Sequence, residues 1–188
     1  MAGTGLSSDF AVALVENAMR SDTAAETALV YAGIGGTAQT QESFVQRFRR
    51  AGLSDRTVLF VSTAEASAAE RLAVPKLAMT AAEYLAFDRG MRVFVILDDM
   101  AAYADALREL AAARRAAVDG DGYPLTLCDN VAALYERAGV RCGCEGSVTL
   151  LPVLPMPETH PLAVRTASLT EKRTVLYPMP YAENGGMC

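Results

Sequence analysis

The sequence VFVILDDMAAYADALREL, residues 93–110, is the most informative stretch for the fold. It opens with five consecutive apolar residues, Val93 to Leu97, which is typical of a strand buried on both faces of a sheet. Asp98 and Asp99 follow, and residues 101–117 are rich in Ala, Arg and Leu, which favours a long helix. A buried strand that leads directly into a helix predicts one unit of a parallel α/β sheet.

The same alternation extends to both sides of this stretch. Further strands are predicted at residues 27–32, 57–62 and 147–154, and helices at residues 9–20, 40–51, 66–89 and 128–138. Phe10, Leu14 and Ala18 share one face of the first helix, and Pro75 is expected to kink or split the third. A loop is expected at residues 33–40. The pattern predicts one α/β domain with a mostly parallel sheet and helices on both faces.

Composition narrows the function classes. The chain has 188 residues, of which 52% are hydrophobic and 21% charged, as in a globular domain rather than a disordered chain or a coiled coil. The 17 basic residues are outnumbered by 22 acidic ones, so nucleic acid is not expected as a partner. A membrane-spanning helix needs about 20 apolar residues in a row, and no such run is present, so no direct membrane insertion is expected.

The cysteines do not form a recognisable zinc motif. Cys142 and Cys144 are too close together for a zinc knuckle, and Cys128 and Cys188 supply no second pair at zinc spacing. His160 is the only histidine. We therefore predict no metal site of this kind, and reduced cysteines in a cytosolic protein.

A glycine-rich turn, Gly3-Thr4-Gly5-Leu6-Ser7, immediately precedes the first predicted helix. Free backbone N–H groups at such a helix start can hold phosphate. A working P-loop has lysine directly after the last glycine, and here that residue is Leu6. The only lysines, Lys76 and Lys172, do not follow a glycine. The turn is therefore either a degenerate phosphate loop or an ordinary chain terminus with turn glycines.

An acidic residue at the end of a buried strand, beside a phosphate loop, is the Walker B arrangement that contacts magnesium. Asp99 is the candidate, and the alternative is that it caps the following helix; Asp98 and Asp99 can divide the two tasks. The loop after the first strand, residues 33–37, has no carboxylate that could orient an attacking water. The sequence therefore predicts no catalytic residues.

Several segments together resemble the non-catalytic B-type subunit (beta chain) of V/A-type rotary ATPases and ATP synthases. They occur in the family's order over residues 2–171: the opening GTGL, PKLAMTAAEYLAF (75–87), DMAAYADALRE (99–109), GYP (122–124), LYERAG (134–139) and PVLPMP (152–157). The resemblance implies a RecA-like core of the P-loop NTPase type over residues 1–176 and a divergent tail over residues 177–188. It covers only the nucleotide-binding core, so the sequence is interpreted as truncated at both ends.

The same resemblance implies a role in a proton- or sodium-translocating complex. The chain would alternate with catalytic A subunits in a hexameric ring around a central rotor, on the cytoplasmic side of the membrane. ATP or ADP with Mg²⁺ would bind weakly or not at all in this chain alone, at Gly3, Thr4, Gly5, Leu6, Ser7 and Asp99. Subunit and rotor contacts are expected at Tyr103, Arg108, Glu109, Tyr123 and Pro124.

Two features of the sequence depart from the family in informative ways. Catalytic relatives carry a glutamate after the first core strand, and Gly36 stands near that position here. The family's Ser-Leu-Ser-Arg segment, whose arginine reaches a neighbouring catalytic site, is not found. A stand-alone, degenerate nucleotide-binding or scaffold module derived from the family therefore stays open as an alternative. Poor solubility or self-association of the isolated chain is also expected.

Overall fold

The computed structural model describes residues 4–21, 26–155 and 162–163, with the side chains of residues 4–8 and 21 left out. The predicted boundary between residues 176 and 177, and the predicted phosphate-loop residue Gly3, lie outside these ranges. In chain order, the elements are α1 (Thr4–Ser21), β1 (Thr27–Gly36), α2 (Ala38–Arg50), β2 (Thr57–Thr63), α3 (Ala68–Glu83), a π-helical turn (Tyr84–Asp88), β3 (Arg92–Asp98), α4 (Met100–Arg114), α5 (Leu127–Tyr135), β4 (Gly139–Val140) and β5 (Ser147–Pro152).

The strands form one sheet in the order β2-β1-β3-β5-β4. The pairs β1–β2, β1–β3 and β3–β5 are parallel, and the two-residue β4 pairs antiparallel with the start of β5. The mostly parallel sheet that the apolar runs predicted is therefore confirmed. Since the long strands run the same way, their carboxyl ends meet at one edge, where ligands bind in sheets of this kind.

Both faces of the sheet are covered by helices, as predicted. Alternate residues of β1 face opposite ways, so that Val30 and Ala32 join one core cluster while Leu29 and Tyr31 join the other. The first cluster contains residues of α3, α4 and α5, and the second contains residues of α1 and α2. Among the described helices, none is long and apolar enough to cross a membrane.

Helix α1 packs through a different stripe from the one that the spacing suggested. Val12, Val15 and Met19 are buried, whereas Phe10 and Leu14 are 44% and 46% exposed. Val12, Val15 and Met19 follow the three- and four-residue steps of a helix face. This face packs against both the sheet and α2. The helix also begins at Thr4 rather than near residue 9, so part of the predicted glycine-rich turn is helical.

Of the two outcomes predicted for Pro75, a kink or a split of the third helix, the split does not occur. Helix α3 runs without a break through Pro75, which is itself buried. Proline inside a helix costs about 3 kcal/mol because it removes one backbone hydrogen bond and crowds the preceding turn. Leu72, Ala78 and Met79 on both sides of it are buried against the sheet, and this apolar contact offsets the local cost.

The first strand is longer than predicted. Residues 33–36 were expected to form a loop, but β1 continues through Gly36, with Gly33 paired to Val61 of β2 and to Asp98 of β3. The pairing shifts register between Gly33 and Gly36, and Gly35 has a left-handed φ of 68°. Glycine permits this irregular continuation because it has no Cβ, so the same residues that signalled a loop allow a bulged strand.

Candidate functional site

The candidate site lies at the carboxyl edge of the sheet, where β1 and β3 end side by side. Gly33 pairs with Asp98, the last residue of β3, and α4 begins two residues later at Met100. Helix α1, whose first turn contains most of the glycine-rich segment, packs on the face of the sheet that carries Tyr31. The topology therefore brings together the strand-end acids and one face of α1.

Asp99 acts as the N-cap of α4. Its Oδ1 accepts a hydrogen bond from the backbone N–H of Ala102 at 2.5 Å. Burial raises the pKa of Asp99 to about 6, against the opposing effect of the hydrogen bonds from Ala102 and Ala101, and the negative charge of Asp98 raises it further. The structure thus shows the capping role that the sequence left as the alternative for Asp99.

Asp98 is the carboxylate that faces α1. Residues of β3 alternate between the two faces, and Ile96, two residues earlier, belongs to the same core cluster as α1 and Tyr31. The buried Tyr31 hydroxyl donates to Asp98 Oδ2 at 2.8 Å. Burial raises the pKa of Tyr31 well above its ordinary value, and the nearby charge of Asp98 adds to this effect. Tyr31 therefore stays protonated and holds the carboxylate in place.

An arginine that the sequence reasoning missed fastens α1 to α2. Arg47 Nη1 lies 2.7 Å from Asp9 Oδ1, and Arg47 Nε lies 2.9 Å from Glu16 Oε1. Asp9 and Glu16 are seven residues apart and so share one face of α1, which was the one available signal that a cation lies opposite them. The bridge therefore joins α1 to α2 on the face of the sheet that both helices cover.

The ends of β1 and β2 and the start of α3 are held by contacts between backbone and side chains. Gln41 Nε2 donates to the carbonyl of Ser62 at 2.7 Å, and a Cβ added at Gly35 would lie 2.9 Å from the Cβ of Ala102 in α4. The buried Arg71 donates to the carbonyl of Ala66 at 3.2 Å and to the Glu109 carboxylate. The strand end therefore contacts the first turn of α4 directly, and Gly36 brings no carboxylate to it.

The five predicted interface residues divide into two groups. Tyr103 is fully buried, and Tyr123 and Pro124 are also buried, so these side chains form part of the interior as the chain is folded here. Tyr103 lies on the sheet-facing side of α4, and a contact of these three residues with a partner subunit stays a prediction. Arg108 and Glu109 are exposed; the Arg108 guanidinium lies 5.4 Å from the centre of the Tyr123 ring.

Residues 118–124 form a compact loop beneath Arg108. The Asp119 carboxylate accepts from the backbone N–H of Asp121 and Tyr123, and Asp119 N–H donates to the Tyr123 carbonyl at 2.9 Å. Gly122 has a φ of 81°, which favours glycine at this turn. Hydrogen bonds within the loop therefore fix its conformation. Asp119 and Asp121 give the loop a negative charge.

Within the described ranges, no group of three or more His, Cys, Asp and Glu side chains converges as a metal-binding set. The Asp98 carboxylate is a hard oxygen donor of the type that Mg²⁺ prefers. Magnesium bound here would need the phosphates of a nucleotide and waters as its other ligands, which is how it usually binds.

Comparison with known proteins identifies the family. Residues 2–183 match the model of the ATP synthase alpha/beta family, nucleotide-binding domain. The chain belongs to this family. It is also similar to a solved structure described as a unique ATP synthase subunit, NeqB from Nanoarcheaum equitans, at 32% sequence identity and a TM-score of 0.79. The similarity covers 90% of this chain and 42% of NeqB, so the chain spans less than half of that protein.

Membership of the ATP synthase alpha/beta family agrees with the architecture. The sheet order, the helices on both faces and the family match together confirm the RecA-like fold that the resemblance implied. Ligands of mostly parallel sheets bind at the carboxyl edge, which carries Asp98 in this family domain.

The raised pKa of Asp99 predicts how the stability of this ATP synthase family domain depends on pH. Because the folded-state pKa of Asp99 lies near 6, above its ordinary value of 3.8, the native state binds more protons than the unfolded state between these pH values. Stability should therefore fall as pH rises from 4 to 6. Asp99→Asn keeps a capping side chain without the charge, so we expect it to exceed the wild type by about 2 kcal/mol at pH 7, and by progressively less below pH 6.

Urea unfolding followed by circular dichroism, at pH values from 4 to 8, measures this difference. Asp99→Ala is the matched control, since it loses the cap and should be less stable than Asp99→Asn at every pH by about 1 kcal/mol. Parallel pH profiles for the wild type and Asp99→Asn would show that Asp99 does not titrate in this range.

Proposed function

We propose that this chain is a non-catalytic, B-type component of a V/A-type rotary ATPase or ATP synthase that moves protons or sodium ions. Its role is structural and regulatory: it contributes to nucleotide sites at subunit interfaces and couples them to the rotor. The observation that carries the proposal is Gly5-Leu6-Ser7, where a working phosphate loop has lysine after the glycine.

The charges around the site support a non-catalytic role. Asp98 and Asp99 lie at the strand end, and among the described residues the two nearby arginines are already paired, Arg47 with Asp9 and Glu16, and Arg71 with Glu109. The triphosphate of ATP would therefore face net negative charge at this strand end. The absence of a P-loop lysine also removes a charge-assisted hydrogen bond, and a bond of this kind contributes about 1.5–3 kcal/mol to binding. ATP or ADP is therefore proposed to bind weakly and only with Mg²⁺, to which Asp98 contributes an oxygen.

The proposed partners are catalytic A subunits in a hexameric ring and a central rotor shaft. Support comes from the surface around the loop of residues 118–124, where Arg108 and Glu109 are exposed and Val118 and Leu125 are 47% and 66% exposed. Exposed apolar side chains beside charged ones are typical of protein interfaces. Through that complex, the chain would lie at the cytoplasmic side of the membrane.

Co-expression with the catalytic A-type partner of the same source tests this proposal. The chain is expressed alone, and also joined to the β-barrel and helical domains of a related B-type protein, and complexes are separated by size-exclusion chromatography with and without Mg·ADP. We expect the joined form to enter an alternating ring with the catalytic partner. If both forms stay folded by circular dichroism and neither associates with that partner, the chain is instead a stand-alone nucleotide-binding or scaffold module.

A further inference from the structure

An exposed turn between β4 and β5 carries two cysteines that are separated by a single residue. The backbone N–H of Cys144 donates to the carbonyl of Arg141 at 3.0 Å, which closes a four-residue turn. Cys142 is exposed, Cys144 is partly exposed, and both thiols are free. No part of the proposed nucleotide site uses this turn.

The turn is shaped before any ligand arrives. Gly143, between the two cysteines, has a φ of 81°, which glycine adopts without the steric cost that other residues meet. A Cβ added at Gly143 would meet nothing within 4 Å, so no other described part of the chain packs against the residue between the two cysteines.

Sulfur ligands decide which ion fits this turn. Thiolates are soft ligands and select soft ions such as Cu(I). Structural zinc needs four protein ligands, and the described residues contain no third His, Cys, Asp or Glu that converges with the pair. Cu(I) can be coordinated by two thiolates alone. It therefore matches both the number and the type of ligands that Cys142 and Cys144 provide.

We propose that Cys142 and Cys144 form a two-thiolate site for a soft monovalent metal ion of the Cu(I) class. Binding replaces the two thiol protons, which leave to solvent, with two Cu–S bonds, and the oxidation state of copper does not change. The site is at the amino end of β5, because Val140 of β4 pairs with Ser147, whereas Asp98 ends the neighbouring β3 at the opposite edge. The proposal is therefore independent of the proposed function.

The test uses the full chain with Cys188→Ser, which removes a thiol outside the described residues. The reduced protein is titrated, without oxygen, into the coloured Cu(I) complex of bicinchoninate, and the loss of colour reports copper transfer. We expect one equivalent of Cu(I) to move to the protein. Cys142→Ser and Cys144→Ser should each weaken binding at least 100-fold.

Cys128→Ser is the matched control. Cys128 lies on α5 and is also a partly exposed thiol, so its removal should leave copper binding unchanged. Circular dichroism of each variant confirms that the fold is retained. The proposal is overturned if no copper moves to the protein, or if the Cys142→Ser variant binds as tightly as the Cys128→Ser variant.

Discussion

Gly146→Ala is expected to lower the free energy of unfolding by about 4 kcal/mol or more, the largest effect of any single substitution that we predict. A Cβ added at Gly146 would lie 1.9 Å from the carbonyl oxygen of Ala86 and 2.6 Å from that of Met91. Both are backbone atoms, which cannot rotate away as a side chain would. Relief requires β5 to move away from the π-helical turn.

The position of Gly146 explains why the strain would spread. The next residue, Ser147, donates its N–H to the Met91 carbonyl at 3.1 Å and begins β5, which pairs with β3 along its whole length. A shift at Gly146 therefore disturbs the pairing of two central strands. Because the π-helical turn lies on the other side, the segment has no free direction in which to move.

Gly120→Ala is the matched control for this prediction. Gly120 has open space around the position of an added Cβ, and its φ is outside the left-handed region. Its substitution should change stability by no more than about 0.5 kcal/mol. Urea unfolding monitored by circular dichroism compares the two variants with the wild type. Equal midpoints for all three would mean that the close approach at Gly146 is relieved at little cost.

The second large predicted effect is an increase in nucleotide affinity. Leu6→Lys should raise the affinity for Mg·ATP ten- to a hundredfold. The substitution creates Gly5-Lys-Ser7, the arrangement in which lysine reaches the phosphates and the hydroxyl contacts magnesium. A charged hydrogen bond of this kind contributes about 1.5–3 kcal/mol, which corresponds to that range of affinity. The new charge also balances the acidic carboxyl edge around Asp98.

Isothermal titration calorimetry with Mg·ATP measures the gain. Leu6→Gln is the matched control, since it has a similar length without the charge and should bind as the wild type does. Adding Asp98→Asn to Leu6→Lys should remove part of the gain if Asp98 helps to hold magnesium. Equal affinities for the lysine and glutamine variants would show that the start of α1 does not form a phosphate site.

Much of the fold could be predicted because it depends on local patterns. The run from Val93 to Leu97 is apolar at every position, so it forms a strand wherever it is covered on both faces. The two-residue β4 was missed because a pairing so short leaves no periodic signal. The site was predicted to the level of an acidic pair after β3, but not to the distinct tasks of its two members.

The order of apolar runs predicted a mostly parallel α/β sheet, the resemblance of several segments to the family implied its RecA-like core, and the residue types showed that Leu6, not lysine, follows Gly5. None of these depends on contacts between distant parts of the chain. Only the folded chain shows that Asp98 faces Tyr31, which is 67 residues away, and that Arg47 joins α1 to α2. The same holds for the burial of Tyr103 and for the close approach of Gly146 to the backbone of Ala86. Burial, hydrogen-bond partners and close approach all depend on contacts between residues that are distant in the sequence. These contacts form only when the chain folds.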